Sequence, residues 1–396
     1  MTTVIVAGAL ANKPGNGGEA WVRMSWARGL ARLGFDVWFV EALTSDRGDG
    51  IAGPDPRAME FFDAVTRANA LGDRSVLVVD GVVRGLDPEE WDALADDCAL
   101  LVNISGHLEP DEWFHRIPHR AYVDLDPGYT QIWDSRGLLG DQVSAHTDHY
   151  TVGLNVGRPG CDLPTGDVRW RPTLQPVVLE DWGDRATKVG EAHAGPDAAE
   201  REVAGVRFTT VASWRGAFGP IEDGDRHYGV KAHEWRRFRA LPALLPAHCF
   251  EAALAIHPAD GDDRTLLESA GWHLEDPAER AGSLEAFRTY VECSDAEFSV
   301  AQGVYVETRS GWFSDRSARY LAAGRPVVVQ DTGFRDTIPE GDGALAFETM
   351  TDAVAAVETI ADDYARHSSA ARQLAETHFD SDRVLGSMLE DLGVSP

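Results

Sequence analysis

The chain has 396 residues, with 36 Lys and Arg against 65 Asp and Glu and a formal charge of −29. That length exceeds one ordinary core and predicts two domains of roughly 150–200 residues each, while 43% hydrophobic and 26% charged residues mark a globular chain rather than a disordered one. So acidic a balance excludes a general nucleic-acid or anionic-membrane binder, which needs excess basic surface to displace counterions. Small ligands stay open, because they need only a local cluster of cations.

In chain order, Thr3 to Ala9 is a short apolar run, followed by a glycine-bearing loop, Asn12-Lys13-Pro14-Gly15-Asn16-Gly17-Gly18. Ala20 to Leu33 carries apolar residues at helical spacing, Gly34 closes it, and Phe35 to Val40 reads as the next strand. Strand, loop, helix, glycine and strand make a βαβ unit, which implies a buried parallel sheet. Ser75 to Val79, Ala99 to Ile104 and Arg120 to Leu125 continue the strands, with a helix over Asp87 to Ala95 whose Pro88 suits a first turn. Residues 127–182 are rich in Pro, Gly, His and Trp and weakly periodic, as functional stretches are. Residues 183–205 are small and polar and read as the interdomain connection.

A second series then begins. Arg207 to Ala212 and Phe250 to Ile256 read as strands, Glu234 to Leu241 as a helix, Tyr305-Val306 as a strand remnant and Arg325 to Val329 as a clear strand. The end is helical, with one apolar stripe of Val354, Val357, Ile360 and Tyr364 and another of Val384, Leu385, Met388, Leu389 and Leu392. Two α/β halves imply a cleft, the usual place for a ligand. The first apolar run lacks a preceding basic segment, no stretch approaches the roughly 18 apolar residues needed to span a bilayer, and the four cysteines form no CxxC pair. A cytoplasmic protein with reduced thiols is expected.

The segment richest in chemistry is Ser310-Gly311-Trp312-Phe313-Ser314-Asp315-Arg316 and the helix running from it to Gly324. Ser314 or Asp315 caps that helix, and its free N–H groups and positive dipole end suit a phosphate, with Ser310 and Arg316 adding contacts. In the first half, Glu19, His107 and Asp126 all follow strands, on the edge where α/β sheets bind ligands. Each is a candidate general base, with Asp126 and His107 favoured over Glu19. The Gly15-Asn16-Gly17-Gly18 loop lacks the third glycine of a dinucleotide fingerprint, which disfavours an NAD(P) enzyme. His146-Thr147-Asp148-His149 has no third ligand partner for zinc, and Asp260-Gly261-Asp262-Asp263 reads as a solvated acidic turn, so no metal is expected. Trp133, Trp170, Trp182, Trp214 and Trp312 lie near the proposed ligand segments, although most tryptophans are core.

The run Ala322-Ala323-Gly324-Arg325-Pro326-Val327-Val328-Val329, then Asp331-Thr332-Gly333-Phe334 and Gly343-Ala344-Leu345-Ala346-Phe347, resembles the donor-binding half of GT-B glycosyltransferases, closest to the bacterial group 1 and CgeB-like enzymes. The resemblance also covers Asp126-Pro127-Gly128, Thr209 to Trp214 and Tyr228-Gly229-Val230-Lys231. It implies an α/β protein of two Rossmann-like domains facing each other across a cleft: 1–190 for the acceptor, 205–375 for the nucleotide sugar, and a 376–396 helix packing back on the first domain. It places Arg215, Lys231, Glu307, Ser310, Gly311, Trp312, Ser314, Asp315, Arg316, Asp331, Thr332 and Gly333 on the donor, and Gly17, Gly18 and His149 toward the acceptor. Many group 1 enzymes carry a Glu-x7-Glu pair there; Gly311 and Arg319 stand at those positions, and Glu307 is the substitute for ribose. The function implied is transfer of a sugar from a nucleotide diphosphate to a hydroxyl or nitrogen of a small aglycone or glycan. It needs no cofactor beyond that co-substrate, no metal, no nucleic acid and no membrane segment, and it is compatible with a homodimer. The alternative is a non-catalytic or regulatory sugar-nucleotide binder.

Overall fold

The structure is a computed structural model that describes residues 1–44, 55–183 and 205–396. Nearly all of the segment read as the interdomain connection lies outside the described residues. The chain divides into two compact units, Met1–Val178 with Asp380–Pro396, and Leu179–Phe379.

The first unit carries strands β1 (Thr3–Ala7), β2 (Asp36–Leu43), β3 (Ser75–Val79), β4 (Val82–Arg84), β5 (Cys98–Ile104), β6 (His119–Asp124), β7 (Asp148–Thr151) and β8 (Arg171–Pro172). They form one sheet in the order β4-β3-β2-β1-β5-β6-β7-β8. All neighbours are parallel except β3 and β4. The central strands are continuous apolar runs because helices cover both faces; Val4, Ile5, Val6 and Ala7 are fully buried. The weakly periodic 127–182 stretch contains the Tyr129–Ser135 helix, β7 and β8, elements too short to announce themselves by period.

The first helix, Gly17–Arg32, buries Trp21, Met24, Trp26 and Leu30 on several sides. It lies between the sheet and the Ser381–Leu392 helix, which belongs to this unit. Gly29 permits that approach: a Cβ there would meet Leu385 Cδ1 at 2.5 Å and Ser381 Cβ at 3.0 Å.

The second unit carries β9 (Arg207–Ser213), β10 (Ile221–Asp223), β11 (Arg226–Tyr228), β12 (Cys249–Ala255), β13 (Trp272–Glu275), β14 (Ala296–Ser299), β15 (Val327–Gln330) and β16 (Ala344–Phe347). Six of them form a wholly parallel sheet in the order β13-β12-β9-β14-β15-β16, while β10 and β11 pair as a separate antiparallel hairpin. Its core is aromatic: Phe208, Trp235, Phe250, Trp272, Phe298 and Phe347 pack in one cluster, with Phe298 and Phe347 stacked at 5.0 Å. Tyr305-Val306 is not a strand but part of the Gly303–Glu307 helix, whose turn closes through Val306 N–H to the Gln302 carbonyl. Two β-branched or aromatic neighbours cannot distinguish a strand from one helical turn. The apolar stripe ending at Tyr364 is split between two helices, Met350–Asp362 and Tyr364–Leu374, the second capped by Asp363. No helix of the described residues is long and apolar enough to cross a membrane.

Gly29→Val drives a branched side chain into the Ser381–Leu392 helix. A loss of about 1–3 kcal/mol in stability is expected from such overpacking, measured by denaturant unfolding against the wild type. Gly386→Ala, whose site has open space, is the matched control.

Candidate functional site

In a parallel sheet, the loops beyond the strand C-termini share one edge, and helix N-termini point their positive ends at it. In the second unit that edge is built by the turns after β9, β14 and β15. The Asp315–Ala322 helix starts there, with Ser314 as N-cap, its hydroxyl accepting from Arg316 N–H. The remaining first-turn N–H groups have no intrahelical partner. Beside them is a small cavity lined by Ser299, Trp312, Phe313, Ser314, Ser317 and Gln330. Ser317 is fully buried, and its hydroxyl has no hydrogen-bond partner among the described residues.

The segment before the helix is strapped to the turn after β15. Gly311 N–H donates to the Thr332 carbonyl at 2.8 Å, the Thr332 hydroxyl donates to the Trp312 carbonyl, and Gly333 N–H donates to Asp331 at 2.9 Å. Gly311 and Gly333 take φ of +77° and +89°, conformations open to glycine. The Tyr305 and Trp312 rings lie 4.6 Å apart. Asp331 faces Arg309 at 3.6 Å and Arg335 at 3.4 Å. Ser310 is buried and points back at the Tyr305 carbonyl. Ser310, Asp331 and Thr332 thus shape the turn with their side chains.

Arg316 corrects the sequence reading. It is 9% exposed and turned inward: its guanidinium pairs with Glu297 of β14 and donates to Ser299 Oγ and, at 2.7 Å, to the Val211 carbonyl of β9. Burial opposes its charge and Glu297 holds it, with a net upward shift. It is a strut, not a phosphate ligand. Arg319 is also fully buried and bonds Asp315 one turn earlier.

Arg215 is exposed and holds Asp260 through two bonds of 2.7 and 2.9 Å. Asp263 pairs with Arg236 and accepts from Trp214 Nε1. The acidic turn at 260–263 is therefore largely paired rather than merely solvated. Lys231 opens the Lys231–Phe238 helix and is 9% exposed. Glu307 ends the Gly303–Glu307 helix; burial and then repulsion from Glu234 raise its pKa. Glu234 accepts from Gln330 at 2.6 Å, and Gln330 accepts from Ala301 N–H at 3.0 Å, which ties the helix to the β15 edge.

In the first unit, β5 ends in a turn with Ser105 and Gly106 at φ +55° and +67°, and this turn presents His107. A left-handed serine stores strain of the kind that marks a functional turn. Gly106 leaves no room for a Cβ, which would meet Tyr122 Cε2 at 2.8 Å. Glu19, beside Gly17 and Gly18 in the first helical turn, bridges Lys13 at 3.1 Å and Arg23. Burial pushes the Glu19 carboxyl up, but Arg23 and Lys13 outweigh it and hold the pKa at about 2. So acidic a group is a weaker proton acceptor than an ordinary carboxylate. Burial, then the charges of Arg23 and Lys13, depress His107 to about 4, so its imidazole is neutral at pH 7.

Asp126 lies in a different cluster, organised by Asp124. The Asp124 carboxylate is fully buried and accepts from Asp126 N–H, Thr130, Gln131 and Thr151 at 2.6–3.0 Å. Burial raises its pKa against those bonds. His149 Nε2 meets the Val143 carbonyl at 2.8 Å, and its ring packs on Trp170. His146 Nδ1 and Nε2 are engaged by the Gln142 carbonyl and Asn103. His149, read from the resemblance as turned toward the acceptor, is in this structure part of the packing around Trp170. Sequence reasoning missed Ser317, Gln330, Asp124 and Arg23; the one legible signal was polar residues at the ends of apolar runs.

No protein-family model and no curated protein matches the chain in sequence. Solved structures do. HepE from Anabaena, in complex with UDP-glucose, is 10% identical over 99% of this chain and 100% of that one, with a TM-score of 0.58. Sucrose-phosphate synthase from Thermosynechococcus elongatus is 11% identical over 99% of each chain, with a TM-score of 0.56. A glycosyltransferase from Rickettsia africae is 13% identical over 98% and 97%, with a TM-score of 0.52. The fold is the GT-B architecture of two Rossmann-like α/β units.

Two outcomes are expected. Lys13→Met removes a cation beside His107 and raises its pKa from about 4 toward the ordinary 6.5, read by ring-proton NMR titration. Arg316→Met strands Glu297 and destabilises the protein by about 3–5 kcal/mol, read by denaturant unfolding against the wild type.

Proposed function

We propose that this protein is a metal-independent glycosyltransferase that moves a sugar from a nucleotide diphosphate to a hydroxyl or nitrogen of a small aglycone or glycan. The observation that carries the reading is the N-terminus of the Asp315–Ala322 helix, open at a parallel-sheet edge beside the cavity that holds the unpartnered Ser317 hydroxyl. It gains support from the shared GT-B architecture, in which HepE has been solved with UDP-glucose.

In this reading the diphosphate sits on the first-turn N–H groups of that helix. Lys231 and Arg215 supply cations, Arg215 by exchanging Asp260 for phosphate. Gly311, Trp312 and Gly333 surround the sugar, with the Trp312 ring as an apolar wall. Negative charge growing on the departing diphosphate is stabilised by the helix end and the cations, fixed before reaction begins. Gly17, Gly18 and the β5 and β6 turns face the acceptor. Asp126 takes the acceptor proton. His107, being a weak base, hydrogen-bonds and orients a hydroxyl as a neutral imidazole.

The test is release of nucleotide from UDP-, GDP- and dTDP-sugars with and without candidate acceptors, alongside calorimetric binding of the nucleotide alone. One donor is expected to turn over, and Lys231→Met and Ser317→Val to weaken nucleotide binding by about tenfold each. Absence of binding to any nucleotide overturns the reading. Binding without turnover assigns the chain instead to non-catalytic sugar-nucleotide binders, the reading favoured by Gly311 and Arg319 where the resembling enzymes carry glutamates.

A further inference from the structure

The two units treat their anion-binding devices in opposite ways. In the first unit, the turn after β1 aims three consecutive backbone N–H groups at one point. That point is filled by the carboxylate of Glu41, from the neighbouring strand β2. Glu41 Oε2 accepts from Leu10 and Ala11 N–H, both at 2.8 Å, and Oε1 accepts from Asn12 N–H at 2.8 Å and Asn12 Nδ2 at 3.1 Å. The side chain is fully buried. Consecutive N–H groups converging on an oxyanion are the geometry by which loops hold phosphate.

The N-terminus of the next helix, Gly17–Arg32, is also taken. Asn16 Oδ1 accepts from Glu19 N–H at 3.2 Å, and the Glu19 carboxylate sits in the first turn. Arg23 is 1% exposed and lies against Gly8, where a Cβ would meet its Cγ at 2.8 Å. Its charge acts on both acids, and Lys13 adds to it at Glu19; at Glu41 burial raises the pKa, opposed by the three backbone N–H groups and Arg23, which favour the carboxylate. In the second unit, by contrast, the Asp315 carboxylate is drawn to Arg319, and the cavity at the helix start holds the buried Ser317 hydroxyl, which has no partner among the described residues.

We propose that Glu41 is a specificity residue: its carboxylate stands as an internal anion in the cradle of the β1 turn and closes the first unit to phosphate, so that a nucleotide diphosphate finds its place in the second unit alone. A carboxylate and a phosphate oxygen compete for the same donors. Placing a phosphate beside a buried carboxylate would also add repulsion in a low-dielectric setting. The place of the nucleotide in the second unit rests on the proposed function; the filled cradle of the first unit does not.

The test follows the backbone amide resonances of Leu10, Ala11 and Asn12 in the full chain while inorganic phosphate, and then UDP, is added. In the wild type these three amides are expected to stay still under both. In Glu41→Ala they are expected to shift with phosphate, and formate is expected to raise the Tm of that variant but not of the wild type, relative to chloride at equal ionic strength. Wild-type amides that move with phosphate, or a folded Glu41→Ala protein that responds to neither anion, overturn the proposal. If Glu41→Ala does not fold, Glu41→Gln keeps the volume and removes the charge. Its Leu10, Ala11 and Asn12 amides are expected to exchange with solvent about tenfold faster or more, and unchanged exchange overturns the proposal. UDP that shifts no amide anywhere contradicts the proposed function and leaves the closed cradle standing.

Discussion

The buried pair between Glu297 and Arg316 fixes the geometry on which the candidate donor site rests. Glu297 belongs to β14 and Arg316 to the second position of the Asp315–Ala322 helix, and the same guanidinium reaches β9 through Val211 and β14 again through Ser299. One side chain therefore ties two central strands to the first turn of a helix. Such a pair gains little net stability over an apolar equivalent, because both charges lose their water. Its value lies in direction, since a planar fork with three engaged nitrogens admits one placement of the helix. The helix N-terminus is thereby held at the sheet edge, and the hydroxyls of Ser314 and Ser317 are held at its mouth.

Charge is allocated with the same economy across the chain. With 36 cations against 65 acids, many Arg side chains among the described residues meet a carboxylate. Arg316 is committed to Glu297, Arg207 to Glu251, Arg23 to Glu19, and Arg236 to Asp263. Arg215 is bound to Asp260 but is exposed, so exchanging partner costs it little desolvation. The acidic balance thus sharpens the role of position: under the proposed function, a cation serves a diphosphate only where it stands at the sheet edge of the second unit. In the first unit Lys13 and Arg23 are committed to Glu19.

The parallel architecture was legible because strands buried on both faces must be continuous apolar runs, as Val4 to Ala7 and Val327 to Val329 are. The strand β14 was not, because its four residues include Glu297 and Ser299, buried polar groups whose partners come from distant segments. Tyr305-Val306 was misread for want of length. The candidate site was legible as a place, through Ser314, the helix and Gly324, but not as a set of contacts. Whether a residue in the first helical turn points out at a ligand or in at a strand depends on what the strand carries opposite it, so Arg316 looked like a phosphate ligand. Glu41 was silent for the same reason. A lone acid in a strand reads as solvent-facing until the turn that encloses it is seen.

Hydrogen exchange of the whole chain with and without UDP tests the central claim most directly. Slowed exchange confined to the second unit, in peptides covering 229–235, 299–303, 311–318 and 330–334, is the expected result. Slowed exchange in the 8–18 turn with none around the Asp315–Ala322 helix contradicts it.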